Sequence, residues 1–169
     1  MNIFKVAWLA GIVDGEGCIT ARVSPAGFRF IPTVAVGMTH LETMHEVQRI
    51  VHDLTGRKYR LYQWQDKQHH KTCYKIMVGR KAAVVKLLEA MLPILVTKRR
   101  QAELLLRLAS APHMYHGRGP AKQYEPWVAD VVAQIRTLNH RGIANEAPTG
   151  ERRETEPSAH QEEETVHAA

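Results

Sequence analysis

The chain has 169 residues, 44% hydrophobic and 24% charged, with 23 Lys+Arg against 17 Asp+Glu for a formal net charge of +6. That length suits one domain, or one domain and a tail, and the apolar fraction excludes wholesale disorder. No apolar run approaches the ~20 residues of a membrane helix, the first residues lack a signal-peptide layout, and two cysteines, Cys18 and Cys73, exclude a disulfide-dense scaffold and suit a reducing compartment. The expectation is a soluble intracellular protein of cytoplasm or organelle matrix.

The charge is unevenly placed. From Glu146 to Ala169 there are seven Glu and two Arg, so the other 145 residues carry a net +11. The predicted organisation is one folded domain over residues 1–144 and an acidic tail over 145–169 without fixed structure. A basic folded part points to a polyanion partner.

In chain order, Phe4 to Val13 is apolar and helix-compatible, with Gly15 and Gly17 ending the pattern. β-branched and aromatic residues predict strands from Cys18 to Val23 and from Phe28 to Met38, joined by turn chemistry at Ser24-Pro25-Ala26-Gly27. Thr39 and Glu42 have capping-box spacing, with Thr39 as N-cap. Met44, Val47, Val51 and Leu54 then define an amphipathic helix that Gly56 stops. A second hairpin follows, Tyr59 to Gln65 and Lys71 to Val78. Helices are predicted over Arg80–Leu92 and Lys98–Ala109. A Gly/Pro loop leads to a last helix carrying Val128, Val131, Val132, Ile135 and Leu138. The fold class is α+β: an α-ββ-α-ββ-α core with extra C-terminal helices and an antiparallel sheet covered on one face.

The most unusual segment is Trp8-Leu9-Ala10-Gly11-Ile12-Val13-Asp14-Gly15-Glu16-Gly17. Ala7, Gly11 and Gly15 stand four apart, a strip with almost no side chain that lets another helix approach closely. Trp8, Leu9 and Ile12 are left for the protomer's own core. Asp14 and Glu16 put two acids at a helix C-terminus, where negative charge is unfavourable. A divalent cation would turn that conflict into binding.

This string resembles the LAGLIDADG motif of homing endonucleases from Leu9 to Gly17, and the element order over about residues 3–140 resembles that family's domain. One motif per chain implies a homodimer with the motif helices at the two-fold axis, which nominates Ala7, Ala10, Gly11 and Asp14 for the interface. Asp14 is also expected to fix the turn below the helix. The resemblance implies that Glu16, with the Gly15 carbonyl, binds metal, Mg²⁺ or another divalent cation such as Mn²⁺. Glu16 stands where the family usually has Asp. His40 falls where single-motif members often carry Gln, so a water-organising role is implied for it. Leu92-Pro93-Ile94-Leu95-Val96-Thr97-Lys98 matches the setting of a family lysine, which makes Lys98 catalytic. The implied partner is double-stranded DNA. The implied activity is cleavage of both strands at a long pseudo-palindromic site, leaving 3′ overhangs. A nuclease-inactive relative, acting as an intron RNA maturase or DNA-binding regulator, is the alternative.

The open sheet face would act as a DNA-binding saddle in the major groove, where base pairs are distinguishable. Strand alternation nominates Arg22, Ser24, Arg29, Thr33, Gln63, Gln65 and Lys75 as base readers, with Lys67 and Lys71 on phosphate. Tyr62 and Trp64 are expected in the core. His113 and His116 have possible metal-ligand spacing but no cysteine partners, and read as polar surface.

Overall fold

A computed structural model describes residues 2–23, 30–65, 71–111, 115–116 and 123–140. The acidic tail, Ser24, Arg29, Lys67 and His113 lie outside them. The chain forms α1 (Ile3–Glu16), β1 (Gly17–Val23), β2 (Phe30–Met38), α2 (Leu41–Thr55), β3 (Leu61–Trp64), β4 (Cys73–Val78), α3 (Lys81–Met91), α4 (Arg99–Ser110), β5 (Tyr115–His116), β6 (Gln123–Tyr124) and α5 (Pro126–Asn139). The expected α+β order holds. The short β5–β6 pair inside the Gly/Pro loop was not expected.

Four strands make an antiparallel sheet in the order β1-β2-β4-β3. Ile19, Ala21, Val34, Val36, Ile76 and Val78 are buried on one face against the helices, the period-2 pattern of a half-covered sheet. α5 and α4 lie over β1, α1 and α3 over β2, and α2 over β4. The edge strand β1 is tied down from the helix side, since Asn139 Nδ2 at the end of α5 donates to the Ile19 carbonyl at 2.9 Å. The other sheet face, bearing Cys18, Arg22 and Met77, has no helix against it among the described residues.

α1 starts at Asn2, whose side chain accepts from the Phe4 N–H at 2.9 Å, and runs past Gly15 to Glu16. Val6, Leu9, Ala10 and Val13 form its buried stripe. α2 corrects the expected cap. Its N-cap is His40, not Thr39: His40 Nδ1 accepts from the Thr43 N–H at 3.3 Å and lies 2.8 Å from Thr43 Oγ1. The helix therefore starts one residue late for a Thr39–Glu42 box. At its other end Gly56 takes φ 70°, the left-handed conformation that lets a glycine close a helix.

Candidate nucleic-acid interface and metal-binding acid

Glu16 ends α1 and Gly17 begins β1 with no intervening loop. Gly17 is required by packing: a Cβ there would stand 2.6 Å from the Val13 carbonyl oxygen. This tight passage fixes where Glu16 points. Its side chain is exposed, and no hydrogen bond or ion pair engages it among the described residues. It lines a shallow depression of about 230 Å³ on the open sheet face, with Cys18, Gly37, Trp64, Cys73 and Lys75. Both cysteines are free thiols.

Asp14 plays a different part. Its Oδ2 accepts from the Val96 N–H at 2.7 Å and its Oδ1 from the Lys98 N–H at 2.9 Å. Burial works against the charged form, but these two N–H groups, with the Thr97 hydroxyl and backbone, hold the carboxyl below its ordinary pKa of 3.8. Thr97 Oγ1 donates to the Asp14 carbonyl at 3.2 Å, and Lys98 Nζ donates to the same oxygen. Lys98 thus places its ammonium at the C-terminal end of α1, where the helix dipole favours a cation. The tether brings Lys98 into the neighbourhood of Gly15 and Glu16. It also engages both Asp14 carboxylate oxygens with the chain's own loop.

The α1 surface corrects two more expectations. Ala10 is 0% exposed inside the protomer's core and cannot reach a partner. Trp8, expected in the core, is 38% exposed, with Phe4 at 78% and Ile3 at 62%. Phe4, Trp8, Gly11 and Gly15, spaced 4-3-4, run along the outer side of the helix. At Gly11 and Gly15 an added Cβ would meet nothing within 4 Å. Packing within the described chain therefore gives no reason for glycine at these two positions. The 4-3-4 spacing was visible in the sequence, but an apolar aromatic is read as core by default.

On the sheet, Arg22 is exposed and shares the open face with Cys18 and Thr20. Thr33 is on that face, opposite Thr20, but only 7% exposed. Lys75 is there too, paired with Gly37 on one side and Tyr62 on the other. The β3 register departs from expectation. Leu61 pairs with Ile76, Tyr62 with Lys75, Gln63 with Tyr74, and Trp64 with Cys73. Tyr62 and Trp64 therefore lie on the open face, 48% and 46% exposed. Gln63 falls on the opposite face with Leu61 and Tyr74, and Gln65 lies beyond the end of β3. The assignment of Gln63 beside Lys75 is one residue out of phase. A one-residue slip exchanges the two faces, and the polarity of glutamine against tryptophan misplaces this edge strand, on whose helix side Leu61 is half-buried against the core but Gln63 is exposed. Arg60 joins the aromatic row, with its guanidinium 5.3 Å from the Tyr62 ring centroid. Lys71 is exposed just before β4.

No protein-family model matches the sequence, and no curated protein does. Solved structures do match. The homing endonuclease I-CvuI, bound to the I-CreI target in 2 mM Mg, is 22% identical with a TM-score of 0.60 over 85% of this chain and 86% of that one. The archaeal intron-encoded homing endonuclease I-Vdi141I, complexed with DNA, is 14% identical with a TM-score of 0.59, over 85% and 89%. The LAGLIDADG homing endonuclease I-GzeII, with its DNA target, gives 12% and 0.50, over 79% of this chain and 43% of that one. The fold is that of the LAGLIDADG homing endonucleases. In this LAGLIDADG fold the Lys98 ammonium sits on the Asp14 carbonyl, two residues before Glu16, and Glu16 borders the open sheet face. No described helix is long and apolar enough to cross a membrane.

Proposed function

We propose that the chain is a homodimeric, Mg²⁺-dependent, site-specific DNA endonuclease that cuts both strands of a long pseudo-palindromic target and leaves 3′ overhangs. The observation that carries this reading is Glu16: a carboxylate with no partner among the described residues, lining a depression in the sheet face opposite the helices, next to two glycines of α1 that no described residue packs against. Neighbours of the same fold that were solved with DNA support the substrate class.

The residues fit a hard divalent cation. Mg²⁺ retains several waters and takes one or two carboxylates plus substrate phosphate rather than an all-protein cage. Glu16 and the Gly15 carbonyl are such donors, and the described residues contain no cluster of three or more His, Cys, Asp or Glu that would form a cage. A second copy would contribute its own Glu16 and Gly15. Bound there, Mg²⁺ or Mn²⁺ supplies Lewis acidity toward the phosphodiester and a more acidic water.

The chain's own groups account for the rest. Lys98, seated on the Asp14 carbonyl, places a fixed positive charge where negative charge develops on the phosphoryl group. His40 is the group proposed to hold solvent, in addition to capping α2. Arg22 and Lys75 read base edges from the open face, and Ser24 and Arg29, which lie between β1 and β2 in the sequence, are the further proposed readers. Lys67 and Lys71 in the β3–β4 hairpin meet phosphate, which positions without reading sequence.

The test is cleavage of a plasmid library of candidate sites with Mg²⁺ and with chelator, followed by sequencing of the cut ends. Metal-dependent double-strand cuts at one pseudo-palindrome are expected. Glu16→Gln should bind the same site and cut it at least about a hundredfold more slowly, the scale of several kcal/mol that metal assistance supplies. Full cleavage by that variant would sink the assignment. Tight binding without cuts by the wild type would leave a maturase or a regulator.

A further inference from the structure

The exposed large hydrophobic side chains of the described chain gather mainly in two places. One is the outer side of α1. The other is the open sheet face, where Tyr62, Trp64 and Met77 are each 41–48% exposed. Contiguous exposed apolar surface marks a binding site more often than a single exposed residue does. Here it lies on the face proposed to enter the DNA major groove.

Trp64 gives this surface its shape. β4 lies between β3 and β2, and the Trp64 ring reaches across it. A Cβ placed on Gly37 of β2 would be 3.7 Å from Trp64 Cη2 and 3.8 Å from Lys75 Cγ. Glycine keeps the floor low, and the indole walls it. The result is the small depression already described, with Glu16 at its rim and Lys75 along its side. Few polar groups face it: apart from Glu16 and Lys75, its lining is Trp64, Met38, Ala35, Gly37 and the two cysteines. A reader of guanine or adenine needs a bidentate Arg, Lys, Asn or Gln. The β3 register removes Gln63 from this face and places Tyr62 and Trp64 on it. The basic groups Arg22, Lys75 and Arg60 around the patch favour a polyanion as the occupant.

Resting on the endonuclease reading above, we infer that the Trp64–Gly37 depression takes the C5-methyl group of a thymine in the major groove, close to the cleavage point that Glu16 marks. Thymine is distinguished in that groove by its methyl, and apolar contact is how proteins read it. Trp64 is then a specificity-determining residue of this chain. Each half-site of the target carries one thymine recognised by its methyl rather than by hydrogen bonds.

The experiment uses the full chain and a random-sequence duplex library, with binding selected in calcium, followed by affinity measurements on the selected duplex. One thymine per half-site is expected to be invariant. Replacing it by deoxyuridine should weaken binding about fourfold per half-site, the factor for one buried methyl. Changing the T·A pair to C·G should weaken binding further, and 5-methylcytosine should recover part of that loss. Trp64→Ala should abolish the thymine-to-uridine difference at that position and leave preferences elsewhere intact. Gly37→Val, which fills the floor from another strand, should do the same and guards against misfolding of the tryptophan variant. A consensus that is bound equally well with every thymine replaced by deoxyuridine overturns the inference alone. So does a Trp64→Ala protein that binds more weakly but keeps the full uridine penalty. Absence of any selected DNA overturns the inference together with the endonuclease reading.

Discussion

Asp14 and Glu16 are two residues apart and differ in everything that matters for their chemistry. Glu16 is exposed and has no partner among the described residues. Asp14 accepts the Val96 and Lys98 N–H groups, while the Asp14 carbonyl receives Thr97 and Lys98 from the same loop. Because its folded pKa lies below 3.8, Asp14 contributes stability that is fully present above about pH 4 and is lost as pH falls through the depressed value. Asp14→Asn keeps the shape but not the charge. It should cost about 1–2 kcal/mol at pH 7, the worth of hydrogen bonds to a charged group discounted for partial exposure. It should also flatten the fall in stability below pH 4. Urea midpoints measured between pH 7 and pH 2 check this, and an unchanged acid slope would remove Asp14 from the account. The need for an acid at Asp14 was legible in the motif. Its partners 82 to 84 residues away were not, because no local pattern encodes which loop a carboxylate will tether.

At the scale of single elements, helix starts and strand phase were the places where local rules competed. His40 caps α2 through its ring nitrogen, an uncommon choice beside a threonine. Thr39 lost because α2 begins at Leu41, which places Thr43 rather than Glu42 at the third helical position. This gives His40 two separable duties. His40→Ala should cost about 0.5–2 kcal/mol, the usual worth of an N-cap, while His40→Asn restores a good cap and most of that stability. Cleavage separates the duties: a catalytic solvent-holding role requires both variants to cut slowly, whereas a purely structural role lets the asparagine variant cut at the wild-type rate. The four helices and four strands up to α4 were readable from apolar period and glycine placement, while the motif nominated Glu16 and the Leu92–Lys98 stretch nominated Lys98. The face of β3 was not readable. Its helix-side residue Gln63 is polar and its open-side residues Tyr62 and Trp64 are apolar, the reverse of the rule that places glutamine outside and tryptophan inside. A sheet that binds something through its uncovered face is where such a reversal is expected.

For the molecule as a whole, α1 is the element whose surroundings are incomplete. Val6, Leu9, Ala10 and Val13 bury one side of it, yet the outer side bears Ile3, Phe4 and Trp8 in the open. A shallow hollow of about 260 Å³ beside Phe4 and Trp8 is completed by Lys5 of α1 and by Glu46 and Ile50 of α2. Helices apolar on all sides are normally buried on all sides. Gly11 and Gly15 complete the outer stripe with a low surface, over which a second α1 could cross at short range. Glycine inside a helix costs roughly 1 kcal/mol relative to alanine, a cost that local packing at Gly11 does nothing to offset. Gly11→Leu is therefore expected to leave the protomer as stable as wild type or about 0.5–1 kcal/mol more stable. The same leucine would overpack a helix crossing by about 1–3 kcal/mol from each copy. Sedimentation of the wild type should give a dimer, and that of the variant a monomer at the same concentration. Thermal unfolding of the variant at a concentration where both are monomeric should show no loss. Because each copy would supply one Glu16, the monomeric variant should also lose concerted double-strand cutting. A Gly11→Leu protein that dimerises like the wild type, or a wild type that is monomeric both free and on DNA, would break the link between the α1 stripe and a two-fold site.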